Sequence, residues 1–140
     1  MYYLLYLSRA SAVVGGRELA SIMTVSRRNN GRDGVSGVLV YKDGVFLQLL
    51  EGEQKTVLQT YERISVDPRH TDAVILLKGP LERRLFGRWS MGFHYLLFPY
   101  MAADQAVASI VDDPRELLGD ADRNHPAVEL LKQFVENAPL

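Results

Sequence analysis

The chain has 140 residues, 47% of them hydrophobic, enough for one compact domain with a buried core and a short appendage. Sixteen basic residues against seventeen acidic ones leave a net charge of −1, which disfavours binding to nucleic acid or anionic lipid. Cysteine is absent, so disulfides, thiolate metal sites and cysteine nucleophiles are excluded together.

Tyr2 to Ser8 is a near-continuous apolar run, as expected of a strand covered on both faces. It lacks the positive flank of a signal peptide, and no run in the chain approaches the ~18 apolar residues of a spanning helix. A cytoplasmic location without membrane attachment is expected. After Gly15 and Gly16, the residues Leu19, Ile22, Met23 and Ser26 recur at helical spacing, and Gly31 is the expected stop. Extending that stripe by one turn turns Asn30 toward the core.

Val35 to Tyr41 and Val45 to Glu51 are strand-like runs joined through Lys42-Asp43-Gly44, where Asp-Gly predicts an antiparallel hairpin. Gln54 to Val66 carries Val57, Leu58, Tyr61, Ile64 and Ser65 along one side of a second helix, ended by Asp67-Pro68. Ala73 to Lys78 reads as a fourth strand and Arg88 to Leu97 as a fifth. This order predicts an α+β, ferredoxin-like βαββαββ mixed sheet with two helices on one face, and with strands one and three adjacent and parallel. Ala102 to Val111 and Pro126 to Val135 read as short helices, the economical cover for the other face of the sheet. The expected division is a domain over residues 1–97 and a helical extension over 98–140.

Gln48 lies mid-strand among Phe46, Leu47, Leu49 and Leu50, where an unpaired buried amide would cost about 1–3 kcal/mol. It requires a partner. Tyr6 becomes that partner if the first and third strands are neighbours. A structural tyrosine–glutamine bond and a ligand pocket both satisfy this pattern; Asn30, a third inward-pointing polar group, favours the pocket. An acylphosphatase-like enzyme using Arg9, Arg17 and Asn30, and a ligand-free interaction module, remain alternatives of the same fold. His70, His94 and His125 are too dispersed to suggest a metal site, and there is no plausible Ser/His/Asp arrangement.

Several segments in order, namely Tyr6-Leu7-Ser8-Arg9, Asn29-Asn30, Arg32 to Gly37, Phe46 to Gly52, Asp67-Pro68-Arg69-His70 and Trp89-Ser90-Met91, closely resemble the BLUF family, sensors of blue light using flavin. The resemblance spans about residues 1–95. It implies a non-enzymatic photoreceptor that binds FAD, with FMN or riboflavin as alternatives, between its two main helices. It places Tyr6 and Gln48 at the N5/O4 edge of the ring and Asn30 on the ring carbonyl side. Asn29 and Arg63 fall at the pyrimidine edge, and Asp67, Arg69 and His70 toward the ribityl and phosphate tail. By the same resemblance, Tyr6 gives an electron and then a proton to excited flavin, and Gln48 rotates or tautomerises. Trp89 and Met91, two apart on one strand, compete for a place near the glutamine and link the site to the output, unless they are ordinary core residues. A separate downstream protein or a homo-oligomer is the expected recipient of the signal.

Overall fold

The computed structural model describes residues 1–11, 16–42, 44–86, 92–96 and 124–136. In chain order these form β1 (Tyr2–Ala10), α1 (Gly16–Asp33), β2 (Ser36–Lys42), β3 (Val45–Gly52), α2 (Gln54–Ser65), β4 (His70–Pro80), β5 (Gly92–Leu96) and α3 (Pro126–Glu136). The five strands make one sheet in the order β4-β1-β3-β2-β5, with only the β2–β5 pair parallel. This is the ferredoxin-like arrangement expected from the element order.

The first and third strands are neighbours, as expected, but they run antiparallel, not parallel. The reason is topological. A crossover through α1 makes β2 parallel to β1 with one place left between them, and the hairpin then reverses the chain before β3 fills that place. The stop of α1 also differs. Gly31 is helical, and the helix ends at Asp33 because Gly34 adopts φ 71°. The Val35 N–H then reaches back to the Asn30 carbonyl at 2.8 Å, the six-to-one bond of a Schellman cap. β4 is longer than its apolar run, because its ladder to β1 extends through the pairs Arg9–Thr71 and Ala10–His70. The expected helix Ala102–Val111 lies outside the described residues.

Alternation along the strands divides the core into two layers. On one face Leu4, Tyr6, Leu39, Phe46 and Leu50 pack with Val57 of α2. Right-handed crossovers bring α1 to the same face. On the opposite face Leu5, Val38, Val40, Leu47 and Leu49 pack with Phe86 and with Ala127, Val128 and Leu131 of α3. The expected C-terminal helix from Pro126 therefore covers the back of the sheet. No helix among the described residues is long and apolar enough to cross a membrane.

Candidate functional site

Tyr6 and Gln48 are direct partners in the β1–β3 register, which points both side chains toward the helix side of the two central strands. Tyr6 is fully buried and Gln48 nearly so. The phenol donates a hydrogen bond to Gln48 Oε1. Burial pushes the Tyr6 phenol far above its ordinary range, and the neighbouring Tyr61 and Asp67 push in the same direction. The group is thus held as a neutral donor. Tyr61, from the inner side of α2, meets the Tyr6 ring edge-on at a centroid separation of 5.2 Å.

Asn30 is buried on the last turn of α1, while its neighbour Asn29 is half-buried. Arg63 is exposed near the end of α2 and lines an open cleft of about 360 Å³ with Arg32, Asp33, Thr56, Gln59 and Thr60. That cleft opens between the C-terminal end of α1 and one side of α2. Asp67 and Arg69 form an ion pair at 2.6 Å. Their hydrogen bond holds the Asp67 carboxyl below its usual range.

His70 begins β4 and turns Nδ1 to the buried Ser8 hydroxyl at 2.9 Å, with its ring tilted against Phe46. The structure thus brings Tyr6 and Gln48 into direct contact and adds a second cluster, Ser8, Phe46 and His70, along the same side of β1 and β3. Trp89 and Met91 lie outside the described residues. Tyr61 was not singled out for the site from the sequence, although its place on the inward stripe of α2 with Val57 and Ile64 was the available signal. Ser8, two residues from Tyr6, was legible in the same way.

The family model described as sensors of blue-light using FAD, BLUF, matches residues 1–92. The chain belongs to the BLUF family. It is 35% identical over 89 residues to the photoactivated adenylate cyclase subunit beta of Euglena gracilis, a match covering 63% of this chain and 10% of that protein. The chain thus spans about a tenth of the length of that curated relative. Among solved structures, it resembles BlsA in its photo-activated state with a TM-score of 0.69 at 26% identity, covering 99% of this chain and 96% of the other. It also resembles Klebsiella pneumoniae BlrP1 with FMN and cyclic diGMP, with a TM-score of 0.77 at 25% identity, covering 97% of this chain and 34% of that one.

BLUF membership makes this a blue-light-sensing, flavin-binding domain with the tyrosine–glutamine hydrogen bond of its family. It is sensory rather than catalytic, which removes the acylphosphatase-like alternative. A ligand-free module is removed on the same ground.

The side chains present suit a flavin. The pyrimidine rim of the ring alternates acceptors with one N–H donor, and the Asn30 and Gln48 amides each offer both kinds of group. Tyr6 adds a buried, neutral phenol.

Proposed function

We propose that the chain senses blue light through FAD held between α1 and α2, with Tyr6 as the photochemical donor and the Gln48 amide as the element that stores the signal. The observation that carries this reading is the buried hydrogen bond from the Tyr6 phenol to Gln48 Oε1, on adjacent central strands. Asn29, Asn30 and Arg63 hold the pyrimidine side, and Asp67, Arg69 and His70 the side toward the ribityl and phosphate tail. FAD is preferred because the matching family is described by it; the BlrP1 structure, which contains FMN, makes FMN the alternative.

Bound flavin supplies the blue absorption and, when excited, an oxidant. The chain supplies the donor and its constraints. Because burial strongly disfavours a phenolate at Tyr6, that side chain gives up its proton only after an electron has left it. While the phenol carries its proton, Gln48 must present Oε1 to it. While the proton is away, the bare phenolic oxygen requires a donor, and the Gln48 amide meets that need by turning Nε2 toward it or by tautomerising; return of the electron and proton to Tyr6 leaves the amide reversed. An amide can reverse in this way without adding charge to the core.

Residues 1–97 form the flavin-binding unit and 98–140 the extension that carries the output, with Trp89 and Met91 linking the two. Photoactivated adenylate cyclase, the Euglena relative, favours an effector as the recipient, supplied by a separate protein or by a second copy of the chain.

The test is optical. The purified protein should be yellow and show a reversible red shift of its flavin bands under blue light, and chromatography of the released cofactor should give FAD. A preparation that remains colourless after incubation with FAD and FMN defeats the reading. Release of FMN alone overturns the choice of FAD.

A further inference from the structure

β3 turns its side chains alternately to the two faces of the sheet: Phe46, Gln48 and Leu50 toward the helix side, Leu47, Leu49 and Glu51 toward the side covered by α3. Glu51 is fully buried. Its carboxylate accepts three hydrogen bonds, from the Ser36 hydroxyl at 2.9 Å, the Leu85 N–H at 2.7 Å and the Phe86 N–H at 2.6 Å. Arg84 braces the same point, donating to the Ser36 hydroxyl oxygen at 3.0 Å, the Glu51 carbonyl at 3.3 Å and the Gly34 carbonyl at 2.7 Å.

Three paths meet at this cluster. Gly34 is the residue that caps α1, four positions after the buried Asn30. Glu51 is on the same strand as Gln48, three residues further along. Phe86, almost fully buried, packs with Ala127, Val128 and Leu131 of α3.

The segment 84–86, after β4, could have satisfied its N–H groups with water. Instead it is fastened by a carboxylate that must be stripped of water to reach it, a costly choice unless every bond is made. Charge-assisted bonds to two consecutive N–H groups are also strict in geometry, so a small shift of β3 loosens both together.

We propose that Glu51, with Ser36 and Arg84, is the coupling clamp that passes the state of the helix-side site through the sheet to α3. This rests on the light-sensing reading above. Glu51 acts as a positioning residue. It holds Leu85 and Phe86 against β3, and Arg84 holds the same segment against the cap of α1. A change in the hydrogen bonding of Gln48 that shifts β3, or one at Asn30 that shifts the cap, therefore moves Phe86 and the helix packed on it.

The experiment compares the flavin-loaded full chain with its Glu51→Gln and Arg84→Lys variants, dark and lit, by absorption and by hydrogen–deuterium exchange. Glutamine keeps the shape of Glu51 but sets an NH2 against a backbone N–H, and lysine keeps the charge of Arg84 without the fork that spans its acceptors. In the native chain, light should change exchange over residues 81–86 and 126–136. Both variants should keep their flavin and the full red shift but lose the light-dependent change at 126–136.

Retention of that change in either variant overturns the proposal, as does its absence from the native chain. If Glu51→Gln does not fold, Arg84→Lys decides alone. Loss of flavin or of the red shift in Arg84→Lys also overturns it, because the cluster would then shape the site and not its output. A native chain that shows no red shift defeats the light-sensing reading itself, and this proposal with it.

Discussion

At the scale of single residues, the site depends on a phenol and an amide that face each other in a dry layer. Replacing Tyr6 by Phe removes the donor to Gln48 Oε1 while keeping the ring that packs against Tyr61. The variant should retain flavin, lose the red shift, and lose about 1–3 kcal/mol in urea unfolding through the missing donor. A normal photocycle in Tyr6→Phe would refute the assigned donor.

His70 gives a second prediction. Burial holds its pKa below the ordinary 6.5; Asp67 opposes that effect and Arg69 adds to it. The unfolded chain therefore binds a proton at a higher pH than the folded one does. Stability from this residue is complete above about pH 6.5 and falls as the solution is acidified toward the folded pKa. Urea midpoints should drop between about pH 7.5 and about pH 5.5, and a His70→Gln variant should show a smaller drop. An equal drop in both would assign the effect elsewhere. The Asp67–Arg69 pair does not interfere, since the depressed carboxyl of Asp67 loses its contribution only below its ordinary 3.8.

At the scale of elements, two glycines separate local backbone strain from steric collision. Gly34 holds the left-handed cap of α1 with open space around its Cα, so Gly34→Ala should cost only about 1–2 kcal/mol. Gly37, where β2 pairs with β3 opposite Leu50, has no such room. A Cβ there would stand 1.9 Å from the Leu49 carbonyl oxygen, and Gly37→Ala should fail to yield folded protein. Soluble expression and circular dichroism of the two variants check this pair, and similar behaviour of both would contradict it.

The same scale shows how far the fold was legible in the sequence. Apolar runs and the Asp-Gly turn were enough for the strands and the hairpin, because each is a local signal with one structural solution, and the handedness of crossovers set the first and third strands side by side. The direction of β3 relative to β1 was missed because it follows from summing two reversals, not from any residue. The end of α1 was misplaced by one turn segment because Gly31 and Gly34 look alike in sequence; only backbone conformation distinguishes the helical glycine from the cap. At the site, Tyr6, Asn30 and Gln48 were visible as polar residues on inward positions. Glu51 was not, since a carboxylate ending an apolar strand usually marks its emergence into water. Its alternation with Leu47 and Leu49 toward a covered face was the signal available.

At the scale of the molecule, the sheet is a partition with cores on both sides, and α3 closes the second of them. Leu131 is fully buried there, and Leu131→Ala should cost about 2–5 kcal/mol. Because Leu131 lies across the sheet from Tyr6 and Gln48, the wavelength of the dark flavin bands should not change. A spectral change in Leu131→Ala would show that packing at α3 alters the resting geometry beside Tyr6 and Gln48. Denaturant titration and a dark absorption spectrum test both halves of this prediction.

Tyr6 and Gln48 lie on strands flanked by other strands on both sides, whereas β4 and β5 are the outermost strands among the described residues. For protein engineering, the centre of the sheet and its rim are therefore different places to make changes. On the proposed output route, recombining this chain at β5 and α3 with a different effector would alter what is switched, while the central strands that carry Tyr6 and Gln48 would keep the same trigger.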